Sequence, residues 1–388
     1  MRSHRGLRGG GGELRVTVSR SPEEAAPHLA GWHALAVACG RPFLAPAFAL
    51  AWYRYCRPRG SGLCVVTVHD GPELVGVGPF CVTRDVLGGG RYRVLGSGTA
   101  PRLEPLARPG RERQVAGAVA AALWAERPCP AIVSLAGVPS ASPYAWLLAD
   151  TWPGPPPVVV VCHTEGAPFV RIDDDGYDGW LRSRDGSFRQ QLRRRERRLR
   201  EAGGVCAVLE PEDHDAGVAA LVRSHRARWR DRGGSRVLTP ALERLLVAAP
   251  RELGGLFRMS VLRLEGEIVA ASAFVTAGDT VVAWLAGFDP AAAPFGPGSL
   301  LGAIAVRDAA ARAQRWLDLG PGPLEYKHRL ATGVETLRWT SLVARGSTYP
   351  WSRLRLLPES LDDAAGRLLP VPFHRALRGA IRRARLAG

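Results

Sequence analysis

The sequence predicts a mixed α/β protein of two related halves, each a mixed, mostly antiparallel sheet flanked by helices. Three observations support this fold class. The length of 388 residues suits two or three domains of ordinary size. Short apolar runs separated by glycine-containing turns indicate hairpins and a meander. Segments of helical periodicity flank these runs, and the order hairpin, further strand, helix, strand occurs twice along the chain.

The same pattern places a domain boundary near residue 165. We expect a disordered lead-in at 1–13, a first domain at 14–165, a second domain at 166–348 and a basic amphipathic tail at 349–388. The N-terminal residues are charged and lack an apolar stretch, so no secretory signal is expected. No apolar run reaches the roughly 18–20 residues that a membrane-spanning helix needs.

In the first half, helical patterns occupy much of residues 14–60 and a hairpin pattern follows. The expected elements are strands at Leu63–His69, Leu74–Thr83 and Tyr92–Leu95, a helix over 111–126, and strands at Ala131–Leu135 and Val158–Cys162.

The second half has the clearer signals. A helix over Phe188–Ala202 stops at a glycine pair, a second helix spans about 213–232, and Thr239 caps a third that begins with Pro240. The expected elements that follow are strands at Phe257–Leu264, Ile268–Thr276 and Thr280–Leu285, a helix over Ser299–Arg315, a strand at Arg315–Leu319, a short helix at Leu324–Leu330 and a strand at Thr336–Val343.

The composition limits what the net charge of +16 can mean. Lysine occurs once among the 52 basic residues and asparagine is absent, which indicates a bias toward GC-rich codons that inflates arginine everywhere. Basicity alone therefore does not predict nucleic-acid binding. The seven cysteines are widely spaced and form no CxxC pair, which argues against a disulfide framework or a zinc ribbon and favours a reducing cytoplasm.

A glycine-containing loop, FGPGS, precedes the helix expected from Ser299. Free backbone N–H groups and the helix dipole at such a junction favour an anion. Pro297 removes one of these donors, so a plain connecting loop is the alternative interpretation.

Lys327, in the run LEYKHR, is the single lysine of the chain. A solvated lysine would be expected to drift to arginine as the other basic positions have. Its retention indicates a site that needs a compact ammonium ion rather than a planar guanidinium. The alternative is an accident of codon drift.

Several motifs occur in order in the second half: FRQQLRRRERRLREAGG, the helix ending in HRARW, and the run PGSLLGAIAVRDAAARAQRWLDLGPGPLEYK. Together they resemble the GNAT-fold acetyltransferases grouped with CelD-type cellulose-biosynthesis proteins. The resemblance covers most of residues 170–345, with a looser match over 30–160. It implies tandem GNAT-like domains, an arrangement also seen in the Fem-type aminoacyl transferases.

The resemblance implies acetyl-CoA or another acyl-CoA as co-substrate, without a metal. The pyrophosphate of coenzyme A would lie at the loop and first helical turn formed by Gly296, Gly298, Ser299 and Leu300. An amine or hydroxyl would attack the thioester directly, in a cleft between the strands ending near Leu285 and Leu319.

The run around Lys327 supplies the expected catalytic groups. Lys327 would stabilise the thioester oxygen, Tyr326 would protonate the leaving thiolate, and Glu325 or Asp318 would accept the proton of the nucleophile. The alternatives are a strand-end cap for Asp318, core packing for Tyr326 and a helix-start carboxylate for Glu325.

Substrate contacts are expected from the basic helix and its surroundings. Arginines fill much of 189–200, as a phosphate platform or as an ordinary solvated face. The candidate substrate-binding residues are Arg189, Arg193, Arg329 and Trp229. His225 is expected to be packed, and Asp173, Asp174 and Asp175 to form a solvated turn rather than a metal loop.

The sequence is compatible with three functions. The first is an acyl-CoA-dependent transferase acting on a sugar, polysaccharide precursor or amine. The second is a Fem-like transferase that takes aminoacyl groups from tRNA, the one case in which nucleic acid is an expected partner. The third is a non-catalytic scaffold in exopolysaccharide synthesis. For the tail, where Phe373, Leu377 and Ile381 share an apolar face, packing against the domain or peripheral contact with an anionic membrane is expected.

Overall fold

The computed structural model describes residues 14–85, 87–229 and 237–356. The strands are β1 (Leu14–Ser19), β2 (Gly62–Asp70), β3 (Glu73–Arg84), β4 (Gly90–Val94), β5 (Leu106–Ala107), β6 (Pro130–Pro139), β7 (Val158–Arg171), β8 (Val205–Val208), β9 (Phe257–Leu264), β10 (Glu267–Ala277), β11 (Thr280–Phe288), β12 (Trp316–Asp318) and β13 (Gly333–Val343).

Helices cover both faces of these strands. They are α1 (Pro22–Ala25), α2 (Leu29–Ala38), α3 (Pro46–Cys56), α4 (Glu112–Ala125), α5 (Tyr144–Asp150), α6 (Gly176–Ser183), α7 (Gly186–Glu201), α8 (His214–Trp229), α9 (Pro240–Leu253), α10 (Pro297–Ala311) and α11 (Glu325–Leu330).

All thirteen strands belong to one sheet, in the order β1-β2-β3-β4-β6-β13-β7-β12-β11-β10-β9-β8, with β5 paired to β3. Neighbours are antiparallel except for two parallel pairs, β4 with β6 and β11 with β12. The parallel pair occupies the same place in each half, between the fourth and fifth strands counted from the outer edge. The mixed, mostly antiparallel, two-part fold predicted from the sequence is therefore confirmed.

The two halves exchange a strand at the centre of the sheet. β7, which ends the first half of the chain, pairs with β12 of the second half, and β13 pairs with β6 of the first half. β7 and β13 pair with each other over eleven registered positions, from Gly333 opposite Phe169 to Val343 opposite Val158. The boundary expected at residue 165 lies inside β7, so the two halves share one continuous sheet rather than meeting at a linker.

Local sequence signals account for several helix starts. The Thr239 hydroxyl accepts a hydrogen bond from the backbone N–H of Leu242, and Pro240 occupies the first helical position of α9. The Asp185 carboxylate caps α7 in the same way by accepting from Phe188 N–H at 2.7 Å. The apolar face of α7, formed by Phe188, Leu192 and Leu199, packs into the second-half core.

The sequence patterns missed some elements. β1, β8, α5 and α6 were not expected, whereas the bounds predicted for β9 are those observed. The predicted second helix ran to residue 232; α8 is described to Trp229. Residues 349–356 are helical, and the rest of the predicted tail, like the predicted lead-in, lies outside the described residues. No helix in the described ranges is both long and apolar enough to cross a membrane.

Candidate active site

β11 and β12 separate after a short parallel contact. They are paired at only three positions, from Thr280 opposite Trp316 to Val282 opposite Asp318. Beyond these pairs β11 continues to Phe288 while β12 has ended. A cavity of 380 Å³ occupies the gap, with Ala283–Ala286 on one side and Leu319–Pro321 on the other.

This cavity passes through the sheet from one face to the other. Side chains alternate along β11, so Val281 belongs to the core under α10 while Val282 belongs to the larger core, on the opposite face, that is built from both halves. Trp284 continues the second of these faces, where its ring packs edge-on against Phe48 at 5.3 Å between centroids. The cavity has Gly298 and Tyr326 on the α10 side and Trp284 on the opposite side, together with Phe43, Pro101 and Trp339.

The N-terminus of α10 lies at one end of the cavity. Gly296 adopts a left-handed conformation with φ of 64°, and its carbonyl oxygen accepts from Ser299 N–H at 3.0 Å. The Arg195 guanidinium lies over Gly296 and donates to the Ser299 hydroxyl at 2.7 Å. Burial, and then the like charge of Arg329, lower the pKa of Arg195 below its usual value, with Glu325 opposing them. The Arg195 guanidinium, a protein cation, therefore lies beside the loop where the sequence predicted a bound anion.

The other predicted loop residue, Leu300, faces away from this end. Its side chain is buried among the apolar residues of the second-half core. The loop therefore borders the cavity through the backbone of Gly298 rather than through the Leu300 side chain. Gly298 lines the cavity, and a Cβ added there would approach the Tyr326 ring to 3.1 Å.

Lys327 lines the cavity at the turn that follows β12. Its Nζ donates hydrogen bonds to the carbonyl oxygens of Gly320 at 3.2 Å and Pro321 at 3.0 Å. Burial lowers the pKa of Lys327, while the nearby carboxylates of Asp318 and Glu165 act to raise it. Among the described residues that line the cavity, Tyr326 and Lys327 are the only ones with titratable side chains.

Asp318 lies beside the cavity and is fully buried. One carboxylate oxygen pairs with Arg102, and the other accepts from Gly320 N–H at 2.7 Å. Arg102 belongs to the first half and also donates to Glu335 at 2.5 Å. Although burial opposes it, the pair of carboxylates raises the pKa of Arg102. Both Asp318 oxygens are thus engaged in holding the turn that carries Gly320.

The remaining predicted residues lie outside the cavity lining. Glu325 is exposed at the start of α11. Arg329 donates to Gln191 and lies over the Phe188 ring, 5.3 Å from its centroid. Arg193 faces a shallow basic surface on α7, and Arg189 donates to the Arg182 carbonyl at 3.2 Å. The side chain of Trp229 is outside the described part of the structure.

His225 and the aspartates at 173–175 were expected to have structural rather than catalytic or metal-binding roles. His225 is buried, as expected for a packed histidine. Asp174 is 91% exposed and pairs with Arg315, in keeping with a solvated turn. In the described ranges, no group of three or more histidine, cysteine or acidic residues could hold a metal ion.

The equivalent gap in the first half is filled by its own chain. After β4 leaves β6, Leu103 forms a backbone bridge with Ala136, with hydrogen bonds of 2.9 and 3.1 Å in the two directions. Leu103 is fully buried, and Arg102 N–H donates to the Gly137 carbonyl. The two halves therefore share a fold but differ in the gap beside the fifth strand.

Sequence comparison supports the assignment of the second half. A family model described as an acetyltransferase (GNAT) domain matches residues 186–328. This part of the second half is similar to a GNAT-type acetyltransferase domain. This range includes α7, α10 and the first residues of α11, and with them Arg195, Gly298 and Lys327. No curated protein matched the chain. The grouping with CelD-type proteins stays a prediction.

Solved structures extend the fold similarity over both halves. FemX aligns with a TM-score of 0.62 at 9% identity, and the alignment covers 88% of this chain and 100% of FemX. The C-terminal DUF2156 domain of a protein assigned as a lysylphosphatidylglycerol synthetase from Agrobacterium fabrum aligns at 0.54 and 11% identity, covering 85% of this chain and 95% of that one. A tandem GNAT protein from the clavulanic acid pathway aligns at 0.45 and 13% identity, covering 86% of this chain and 100% of that chain, a score too low to support an argument. At these identities the likeness concerns the fold alone.

Proposed function

We propose that the protein transfers an acyl group, acetyl in the simplest case, from acyl-CoA to an amine or hydroxyl of a sugar, a polysaccharide precursor or another small metabolite. The observation that carries this proposal is the cavity through the sheet. It connects the α10 N-terminus, where Arg195 stands, with Lys327 and an aromatic wall on the opposite face. A long ligand with an anionic end and a reactive thioester end fits this arrangement.

Coenzyme A would enter from the α10 side. Its pyrophosphate would pair with Arg195 and the first turn of α10, at Gly296, Gly298 and Ser299. The helix dipole and the guanidinium both favour a phosphate there. The pantetheine arm would then pass between β11 and Leu319–Pro321. β11 is paired with β10 along one edge of Ala283–Ala286, and the backbone groups on its other edge would pair with the amides of the arm.

The acyl carbon would lie near Lys327. The acceptor nitrogen or oxygen forms a bond to that carbon, the carbonyl oxygen gains negative charge, and the carbon–sulfur bond then breaks. Two of the three Lys327 N–H groups hold the carbonyls of Gly320 and Pro321, and we assign the third to the thioester oxygen. Tyr326 would protonate the departing thiolate.

The attacking amine or hydroxyl of the acceptor must also lose a proton. No carboxylate lines the cavity among the described residues, and Asp318 is committed to Arg102 and Gly320. We therefore propose that the acceptor releases its proton to water. In this account Asp318 positions the turn that presents Lys327, and Glu325 remains a helix-start carboxylate rather than a base.

Ligand-dependent stabilisation separates this function from its rivals. A ligand that binds only the folded protein raises the melting temperature by mass action. We expect acetyl-CoA and free CoA to raise it and tRNA to leave it unchanged. A response to tRNA alone would favour a Fem-like aminoacyl transferase, and no response to any of the three would favour the scaffold.

A further inference from the structure

A second cavity, of 640 Å³, lies between the halves on the other side of Arg102. Pro101 lines the cavity through the sheet, and Arg102, the next residue, lines this one. The first half contributes Tyr144 and Glu104 to its wall, and the second half contributes Asp279 and Trp316. Neither the comparisons nor the transfer chemistry above accounts for it.

The wall of this cavity reverses the charge of the molecule. The chain as a whole carries +16, whereas the cavity lining has four carboxylates, Glu104, Glu112, Asp279 and Glu335, against two guanidinium groups, Arg41 and Arg102. Both cations are already paired within the wall. Arg41 donates to Glu104 at 3.1 Å, and Arg102 pairs with Glu335 and Asp318. Glu112 and Asp279 have no cationic partner among the described residues.

Two buried polar atoms at the wall add a second, independent observation. The Tyr144 hydroxyl and Arg102 Nη2 have no hydrogen-bond partner in the described structure. Their residues are only 3% and 6% exposed, and both line the cavity. Burying such groups unpaired is costly, and a site that receives a polar ligand would satisfy them. Trp316, stacked on Phe169 at 4.0 Å, gives the same cavity an aromatic wall.

We propose that this cavity binds the ammonium group of the acceptor. The acceptor would then be a small organic amine whose reacting amine or hydroxyl extends past Arg102 toward Lys327. The carboxylates of Glu112 and Asp279, which accept hydrogen bonds but form no ion pair among the described residues, would hold the charge. Tyr144 and Arg102 would pair with neighbouring hydroxyl groups of the ligand. The ligand class rests on the acidic wall; its part in acyl transfer rests on the function proposed above.

Calorimetric titration without acyl-CoA tests the site directly. Glucosamine and 1,5-diaminopentane are the cationic probes, and glucose and 1,5-pentanediol are their neutral counterparts. We expect at least one amine to bind, and its neutral counterpart to bind at least about tenfold more weakly. The double variant Glu112→Gln and Asp279→Asn should weaken amine binding by a similar factor. The double variant Asp215→Asn and Glu267→Gln, at carboxylates outside the cavity lining, should leave it unchanged.

Tyr144→Phe tests whether the Tyr144 hydroxyl contacts the ligand or only supports the fold, because ligand affinity and melting temperature are measured separately. Removing an unpaired buried hydroxyl should not lower the melting temperature, yet glucosamine affinity should fall several-fold, whereas that of 1,5-diaminopentane, which has no hydroxyl group, should not. Equal binding of amines and their neutral counterparts, or an unchanged amine affinity in the Glu112/Asp279 variant, would overturn the proposal.

Titration with acetyl-CoA distinguishes this failure from failure of the transferase proposal. If acetyl-CoA binds and neither amine does, the cavity assignment is wrong and the transferase stands. If the amine binds and acetyl-CoA does not, the cavity assignment stands and the transferase proposal is wrong.

Discussion

Lys327 is a single side chain on which much of the proposed chemistry depends. It holds two carbonyl oxygens of the turn after β12 and lines the cavity. Arginine cannot reproduce this geometry, because its planar guanidinium is wider and directs its donors elsewhere. The abundance of arginine at other basic positions makes Lys327→Arg an informative substitution, since the chain accepts arginine wherever only a solvated charge is needed.

We predict that Lys327→Arg lowers kcat by about 10²–10³, the usual cost of one misplaced oxyanion donor. Acetyl-CoA affinity and folding should be retained. Thiol release from acetyl-CoA in the presence of an acceptor measures the rate. Arg329→Lys is the control, because Arg329 contacts α7 rather than the cavity, and its effect should be smaller. A Lys327→Arg enzyme with wild-type turnover would refute the role assigned to this lysine.

The pH dependence gives the same residue a second test. Burial lowers the pKa of Lys327 from its ordinary 10.5, so the ammonium form is lost at a lower pH than in an exposed lysine. If the charged form is needed, kcat of the wild type should decline as the pH rises, and the decline should begin at a lower pH than an exposed lysine would give. In Lys327→Arg the decline should begin at a higher pH, because arginine stays charged and only the loss of the Tyr326 proton then lowers the rate.

Arg195 is the cation best placed for a phosphate, although it was not singled out from the sequence. We predict that Arg195→Gln weakens CoA binding by about 10–100-fold, the worth of a hydrogen bond to a charged group. Arg200→Gln, on an exposed part of the same helix, should have little effect. Titration calorimetry measures both, and equal losses in the two variants would show a diffuse charge effect instead of a contact.

At the scale of elements, the start of α10 and the end of β12 form the two sides of one passage. Gly298 faces Tyr326 so closely that a Cβ would meet the ring at 3.1 Å. A larger side chain there must displace the ring into the cavity. The backbone of Gly298 is outside the left-handed region, so the substitution itself causes no φ strain.

We predict that Gly298→Val weakens acetyl-CoA binding at least about tenfold while the free energy of unfolding changes by less than about 1 kcal/mol. Gly117→Val is a matched control in α4, where an added Cβ meets Thr151 at an ordinary 3.6 Å. Urea unfolding and titration calorimetry separate the two quantities. Undiminished acetyl-CoA affinity in Gly298→Val would place the ligand elsewhere.

Local patterns predicted the elements of the second half better than their arrangement. The bounds of β9 and the cap of α9 depend on nearby residues, so they could be inferred from a short window. The exchange of β7 and β13 could not be inferred in this way, because the partners of both strands are distant in the chain. β1 is a short alternating strand ahead of a helical region and was missed for lack of a preceding turn signal.

The candidate site was predicted unevenly for a related reason. Lys327 could be singled out because it is chemically unique in the chain. Arg195 is one of several arginines on α7, and only its position opposite Ser299 distinguishes it. Arg102 and Trp284 act through contacts between the halves, which no local pattern encodes.

At the scale of the whole molecule, a buried ion-pair cluster joins the halves beside the active site. Arg102 comes from the first half, and Asp318 and Glu335 come from the second. Arg102 adopts a left-handed backbone conformation, with φ of 61°, that non-glycine residues rarely occupy. Removing Arg102 leaves the buried Asp318 carboxylate without its cationic partner, and removing the Asp318 charge leaves Arg102 paired with Glu335 alone.

We predict that Arg102→Met and Asp318→Asn each lower the free energy of unfolding by about 3–5 kcal/mol. The double variant should lose markedly less than the sum, because it leaves no unpaired charge from this pair. Urea unfolding monitored by two probes measures all three variants. Single losses that simply add would show that Arg102 and Asp318 do not stabilise each other.

The first half matches the second in strand order but closes its gap with Leu103, so we propose one acyl-CoA site in each chain. Calorimetric titration of acetyl-CoA into the wild-type protein measures the number of sites and their affinity. We predict saturable binding at a stoichiometry of about one acetyl-CoA per chain, with a weaker affinity in Gly298→Val. No binding, or two sites of similar affinity per chain, would contradict it.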